Sequence, residues 1–75
     1  MTLDALKDGE VATISHFDVN EQLLNRFFSL GFAKSKKIKK IKTSLGGSTI
    51  LVELDRNCVM LRNNEAKSIE VIRNT

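Results

Sequence analysis

Residues 20–30 have the spacing of an amphipathic helix. Their apolar residues recur at helical intervals and form one stripe: Leu23, Leu24, Phe27, Phe28 and Leu30. Asn20 is a favourable N-cap residue, and Gly31 follows the last apolar position, where a helix-terminating glycine is common. The pattern therefore predicts a helix from Asn20 to Leu30 with one face on a core.

Short runs rich in β-branched residues make up most of the remaining chain. They predict five strands: Glu10–Phe17, Lys36–Thr43, Thr49–Asp55, Cys58–Arg62 and Ile69–Ile72. The third run alternates well, with Ile50, Val52 and Leu54 on one face. In the second run Ile38 and Ile41 are three positions apart, which predicts either a β-bulge or a single inward-facing isoleucine.

The segments between these runs are short and rich in turn-forming residues. Thr2–Leu6 is typical of one helical turn, Ser44–Ser48 of a tight turn, and Asn63–Lys67 of a turn or short 3₁₀ segment. Five short strands with one or two short helices predict a mainly β protein, folded as a small and strongly bent barrel.

The length of 75 residues predicts a single domain over residues 1–75 with a modest core. A core of this size leaves little room for a substrate cleft, and the sequence contains no nucleotide-binding P-loop. The single cysteine, Cys58, is typical of a reducing compartment, and no apolar stretch approaches the roughly 18 residues that span a bilayer. We expect a cytoplasmic protein that is neither an enzyme nor a cofactor carrier.

Lysine is concentrated in one segment. Between residues 34 and 42 the lysines are Lys34, Lys36, Lys37, Lys39, Lys40 and Lys42. The rest of the chain contains six Lys and Arg and nine Asp and Glu, which gives it a formal charge of −3. The net charge of +3 therefore comes from this lysine-rich segment. A regular strand would place Lys36, Lys40 and Lys42 on one face. Lys37 and Lys39 would lie on the other face, which indicates either an edge strand or a strand that extends past the barrel.

Two interpretations of this basic segment remain open. It is either a charged edge that prevents strand-to-strand aggregation or a docking surface for an acidic partner. Such a partner would be a protein domain, anionic headgroups beside a membrane, or nucleic acid. All four phenylalanines lie between residues 17 and 32 and none lies among the lysines, which disfavours a base-stacking surface. An exposed edge would also permit weak self-association.

Three apolar residues are candidates for partner contact. Leu24 and Phe28 lie at the edge of the helical stripe, and Leu45 lies in a turn where no local structural role explains it. The neighbouring Gly46 and Gly47 complete that candidate turn. A metal site has less support, because the best ligands, His16 and Cys58, are far apart and have no companions at ligand spacing. We expect Cys58 to be a small buried strand residue and expect no metal site.

The order of these segments resembles the FeoA family. The resemblance rests on Thr2-Leu3 and Asp8-Gly9-Glu10, Leu30-Gly31-Phe32 after the helix, Leu45-Gly46, Leu61-Arg62, and Glu65-Ala66 before Ile69-Glu70-Val71. It covers residues 2–72. The sequence departs from the family pattern in lacking its turn prolines: Ala33-Lys34-Ser35 and Ser44–Ser48 stand in their places.

The resemblance implies an SH3-like barrel with a role in ferrous iron uptake. FeoA-like proteins are taken to dock on the cytosolic side of FeoB, a membrane transporter with a guanine-nucleotide-binding domain. Transition-metal association follows from the family only, not from any residue here. The hypothesis is an accessory protein that docks through residues 34–42 and the turn at Leu45–Gly47. The alternative is a small basic barrel that binds nucleic acid.

Overall fold

The chain folds into five antiparallel strands and two short helices after an N-terminal 3₁₀ turn. A computed structural model describes residues 1–74. The 3₁₀ turn is Leu3–Ala5; the strands are β1 (Val11–Phe17), β2 (Lys37–Thr43), β3 (Thr49–Leu54), β4 (Asn57–Arg62) and β5 (Ile69–Arg73); the helices are α1 (Glu21–Ser29) and α2 (Asn63–Ala66). The predicted mainly β fold is confirmed, and the segment after β4 is a short α-helix.

The strands form one sheet in the order β4-β3-β2-β1-β5. The predicted edge position of the lysine-rich strand is therefore wrong, because β2 pairs with β1 on one side and β3 on the other. The ends of the sheet are β4 and β5, and a bridge between Thr2 and Glu70 covers part of β5. Strand β2 is paired with both neighbours at Lys39 and with β1 at Lys37, so these lysines do not form a charged free edge that prevents aggregation.

The core lies inside the bent sheet and is almost entirely aliphatic. Its buried residues come from every element: Leu3, Leu6, Ala12, Ile14, Phe27, Phe32, Ile38, Ile50, Val52, Leu54, Leu61, Ala66, Ile69 and Val71. The predicted inward face of β3 is confirmed, since Ile50, Val52 and Leu54 are all buried. Within the described residues, neither helix is long and apolar enough to cross a membrane.

Helix α1 covers one end of the sheet, and its boundaries follow the predicted capping residues. The Asn20 side chain accepts a hydrogen bond from the Leu23 amide at 2.9 Å. Gly31 has a φ of +95°, which a residue without a Cβ adopts at little cost, and ends the helix. Phe27 is buried, and Leu23 and Leu30 pack against the core. The predicted helix is confirmed.

Strand β2 contains a β-bulge at Ile41. Lys40 pairs with Val52 and Lys42 pairs with Leu51, so Ile41 is the additional residue on β2. The extra residue reverses the in–out alternation beyond it. Lys40, before the bulge, shares the inner face with Ile38, and the bulge leaves Lys42 pointing outward.

The bulge corrects the prediction that Lys36, Lys40 and Lys42 share one exposed face. Lys40 is only 5% exposed, and its Nζ donates hydrogen bonds to the carbonyl oxygens of Asp4 at 3.1 Å and Leu6 at 2.7 Å. These carbonyls belong to the N-terminal 3₁₀ turn and to the residue that follows it, and this segment covers the inner side of β2. Lys40 therefore holds two parts of the fold together and is not part of a surface for partners.

Candidate functional site

An open groove lies where the end of β1 meets α1 and the loop before β2. Its volume is about 630 Å³, and it is lined by His16, Phe17, Leu24, Phe28, Ala33 and Lys34. Backbone hydrogen bonds hold the loop against β1: the Ser35 amide donates to the Ile14 carbonyl at 2.8 Å, and the Ile14 amide donates to the Lys36 carbonyl at 2.9 Å. The groove thus has two regular elements and an anchored loop as walls.

Aromatic rings shape the floor of the groove. Phe17 packs against the buried Phe27 with ring centroids 5.7 Å apart, and meets Phe28 edge-on at 5.9 Å. Phe28 is nevertheless 51% exposed. Phe27 lies on the core side of the helix and its neighbour Phe28 therefore faces the groove. The result is an apolar surface on a rigid helix that the fold leaves uncovered.

The rim of the groove carries a lysine and a histidine. Lys34 and His16 are both exposed and line the same opening, and no Asp or Glu is among the lining residues. An apolar floor with the Lys34 ammonium on its rim can take an apolar side chain that has a carboxylate next to it. It offers no arrangement of nucleophile, base and orienting group among the residues that line it.

The fold brings some of the predicted candidate residues together and separates the others. Leu24 and Lys34, ten positions apart in sequence, line the same groove. Lys36 forms an ion pair with Asp55. Lys37 and Lys39 are exposed on the outer face of the sheet, where Lys39 lies opposite Glu53 in the β2–β3 register.

The remaining candidates lie at the other end of β2. Lys42 is exposed on the last part of the strand, and Leu45, Gly46 and Gly47 form the turn that follows. The candidate residues are therefore divided between two ends of the molecule and do not form one site. Phe17 and Ala33 belong to the groove and were not identified from the sequence, because no periodicity links a strand end and a loop to a helix face.

The metal-ligand candidates stay apart in the structure. His16 lies on β1 and Cys58 on β4, with β2 and β3 between them. The prediction that Cys58 is buried is wrong: β4 alternates so that Leu61 faces the core and Cys58 faces solvent. Residues 1–74 contain no group of three or more His, Cys, Asp and Glu side chains that could hold a metal ion.

The bent five-stranded antiparallel sheet and the short helices place the chain among the small SH3-like barrel proteins. Within that class, the chain belongs to the FeoA domain family, which matches residues 1–73. A protein of Campylobacter jejuni, named for Fe(2+) transport as transport protein A, is 54% identical over 71 residues. That match covers 95% of this chain and 96% of the relative.

Two solved structures show the same fold. The iron(II) transport protein A of Clostridium thermocellum has a TM-score of 0.93 and 27% identity over 97% of this chain, but the match spans only 45% of that chain. The FeoA of Stenotrophomonas maltophilia, described as a prokaryotic SH3 domain protein and solved in complex with zinc, has a TM-score of 0.83 and 28% identity. The match covers 95% of this chain and 88% of that one.

Proposed function

We propose that this chain is a cytoplasmic accessory protein of ferrous iron transport that docks on the cytosolic domain of a FeoB-like transporter. Membership of the FeoA domain family supports this function, as does the 54% identity to a relative named for Fe(2+) transport over nearly its whole length. The proposed action is protein–protein contact. It requires no bound cofactor and no reaction on this chain.

The observation that carries the proposal is the uncovered apolar groove between α1 and the end of β1. Exposed aromatic side chains in a concave, preformed site are typical of the residues that dominate protein–protein binding energy. Phe28 presents its ring there, and Leu24 extends the apolar floor along the same helix. The neighbouring Lys34 favours a partner segment in which an acidic residue follows an apolar one.

The exposed lysines of β2 have a separate part in this proposal. Lys37 and Lys39 lie on the outer face of the sheet, outside the groove. Charges at the margin of an interface act mainly on the association rate, through long-range attraction that salt screens. An acidic cytosolic domain would therefore be drawn towards this side of the barrel before the groove is filled. Regulation would further require different affinities for different states of the transporter.

The test is binding of the purified chain to the cytosolic portion of the cognate FeoB-like transporter, with and without guanine nucleotide. The key comparison is Phe28→Ala against Ile72→Ala. Both side chains are large, apolar and similarly exposed, at 51% and 63%, but Ile72 on β5 is outside the groove. We expect Phe28→Ala to weaken binding at least about tenfold, as for a central interface aromatic, and Ile72→Ala to leave it unchanged.

Measuring the binding rates at different salt concentrations distinguishes the role of the groove from that of the exposed lysines. Raising the salt concentration is expected to slow association and to leave the effect of Phe28→Ala on dissociation in place. Equal loss of affinity in the two variants would contradict docking through the groove. Absence of binding in every nucleotide state would contradict the transporter as the partner.

A further inference from the structure

The turn between β2 and β3 carries a leucine that contacts nothing. Leu45 is 102% exposed, so its whole side chain stands in solvent. The turn closes without it: the Ser44 amide donates to the Thr49 carbonyl at 2.9 Å, and the Gly47 amide donates to the Ser44 carbonyl at 2.9 Å. Gly46 and Gly47 both have positive φ, at +87° and +74°. The side chain of Leu45 therefore has no part in closing the turn.

More apolar and basic side chains lie beside this turn on the outer face of the sheet. Lys42, Leu51 and Met60 form one cross-strand row through β2, β3 and β4, since Leu51 is paired with both others. Residues paired in this way have their side chains on the same face. Arg62 lies two positions beyond Met60 and is exposed on that face. We call Leu45, Lys42, Leu51, Met60 and Arg62 the hairpin patch.

The hairpin patch contains no acidic side chain, and none lies in the chain segments immediately around its members. Residues 41–52 and 56–64 contain no Asp or Glu, although the chain has nine. The nearest acidic residue on the outer face is Glu53, which belongs to the next cross-strand row, with Lys39 and Cys58. The patch thus combines exposed apolar groups with uncompensated positive charge.

The hairpin patch lies at the opposite end of β2 from the groove. β2 begins next to the loop that carries Lys34 and ends at the turn that carries Leu45. Its seven residues span roughly 20 Å in an extended strand, in a molecule whose longest dimension is 29 Å. A ligand on the patch therefore leaves the groove open.

We infer that the hairpin patch binds the surface of an anionic lipid bilayer. Leu45 would enter the boundary between headgroups and acyl chains, while Lys42 and Arg62 contact the lipid phosphates. A bilayer accepts a protruding side chain without a matching cavity. A protein partner would need a pocket for Leu45 and a contact area of about 800 Å² on each side, far more than these five side chains offer. Attachment through one leucine and two cations is weak and reversible.

The test uses the chain alone and vesicles of phosphatidylcholine with or without phosphatidylglycerol. We expect sedimentation with the anionic vesicles, little with pure phosphatidylcholine, and weaker binding as salt rises. Leu45→Asp should lower the partition coefficient by about tenfold or more, because an apolar side chain leaves the bilayer and a negative charge approaches the phosphates. Lys42→Ala and Arg62→Ala should each lower it by about fivefold. Ile72→Asp is the matched control and should bind unchanged.

A fluorescence measurement provides a second test, in which vesicle binding appears as a change in emission and not as a loss of affinity in a variant. The chain has no tryptophan, so Leu45→Trp introduces a single emitter. Its emission should shift to shorter wavelength with anionic vesicles, whereas that of Ile72→Trp should not. Equal binding to both kinds of vesicle, or no shift for Leu45→Trp, would overturn the inference. Loss of transporter-domain binding by Leu45→Asp in the absence of lipid would overturn it in favour of a protein-binding patch.

Discussion

At the scale of single residues, Lys40 is the side chain whose role depends most on its surroundings. Five other lysines lie within six positions of it, and it alone among them is buried. Its Nζ meets two carbonyl oxygens, and its backbone adds hydrogen bonds from the Gly9 amide at 2.6 Å and to the Glu10 carbonyl at 3.0 Å. Through these hydrogen bonds Lys40 joins residues 4–10 to the middle strand of the sheet.

Replacing Lys40 should destabilise the fold, whereas replacing its neighbour should not. Lys40→Met keeps the length of the side chain but leaves the carbonyls of Asp4 and Leu6 without their donor. We expect the free energy of unfolding to fall by about 1–3 kcal/mol. Lys39→Met removes an exposed lysine and is the control. Urea unfolding of both variants gives the comparison, and equal stabilities would show that Lys40 has no such role.

At the scale of elements, helix α1 supplies one wall of the groove, is capped within itself at its N-terminus and is linked to α2 by an ion pair. Asn20 caps its N-terminus, and Arg26 forms an ion pair with the nearly buried Glu65 of α2. The other Glu65 oxygen accepts a hydrogen bond from the Arg62 amide at 3.0 Å. The groove therefore depends on a cap at one end of α1 and on an electrostatic link to the second helix.

The cap should be measurable through two substitutions at one position. Asn20→Ala removes the acceptor for the Leu23 amide and should lower the free energy of unfolding by about 1 kcal/mol. Asn20→Asp keeps an acceptor at the same place and adds a favourable charge at the helix N-terminus, so it should retain the stability. Thermal unfolding followed by circular dichroism distinguishes them. If Asn20→Ala matched the original chain, the cap would be without energetic effect.

The ion pair between the helices should appear as a coupling between two substitutions. A double-mutant cycle with Arg26→Met and Glu65→Gln is expected to give about 1 kcal/mol, because Glu65 is largely buried while the exposure of Arg26 allows solvent to screen the pair. Glu65→Gln keeps an oxygen for the Arg62 amide. Additive effects in urea unfolding would mean that the two helices are not coupled through these side chains.

At the scale of the whole molecule, the candidate surfaces occupy two ends of one strand. The groove lies at the beginning of β2 and the hairpin patch at its end. The groove and the hairpin patch have no residue in common, and the sheet separates them. A barrel of this size could hold the membrane surface at one end and a cytosolic domain at the other.

This arrangement predicts that the two activities are separable. Phe28→Ala should lose binding to the transporter's cytosolic domain by at least about tenfold and keep its binding to anionic vesicles. Leu45→Asp should show the reverse, with about a tenfold loss on vesicles only. Measuring both ligands with both variants completes the test. A variant that lost both activities while remaining folded would contradict two independent surfaces.

Local chemistry was sufficient to predict the elements of this fold. The helix between Asn20 and Gly31 and the alternation of β3 depend on contacts within a few residues, and both predictions are confirmed. The spacing of Ile38 and Ile41 left a bulge or a single inward-facing isoleucine open, and the structure has a bulge there. The exposure of Leu45 followed from its place in a short turn. Capping, alternation and turn formation can be predicted from the sequence, because the groups that cause them are adjacent along the chain.

Tertiary structure alone decided which lysine is buried and where the groove lies. Ordinary strand alternation places Lys40 on the inner face beside Ile38, but only the docking of the distant N-terminal segment supplies the carbonyls that make its burial tolerable. The groove joins a strand end, a helix face and a loop that no periodicity connects. The sequence by itself determined the elements and the faces of most of them. Their pairing order, the central place of β2 and the two separate surfaces arise from contacts between residues far apart in the chain.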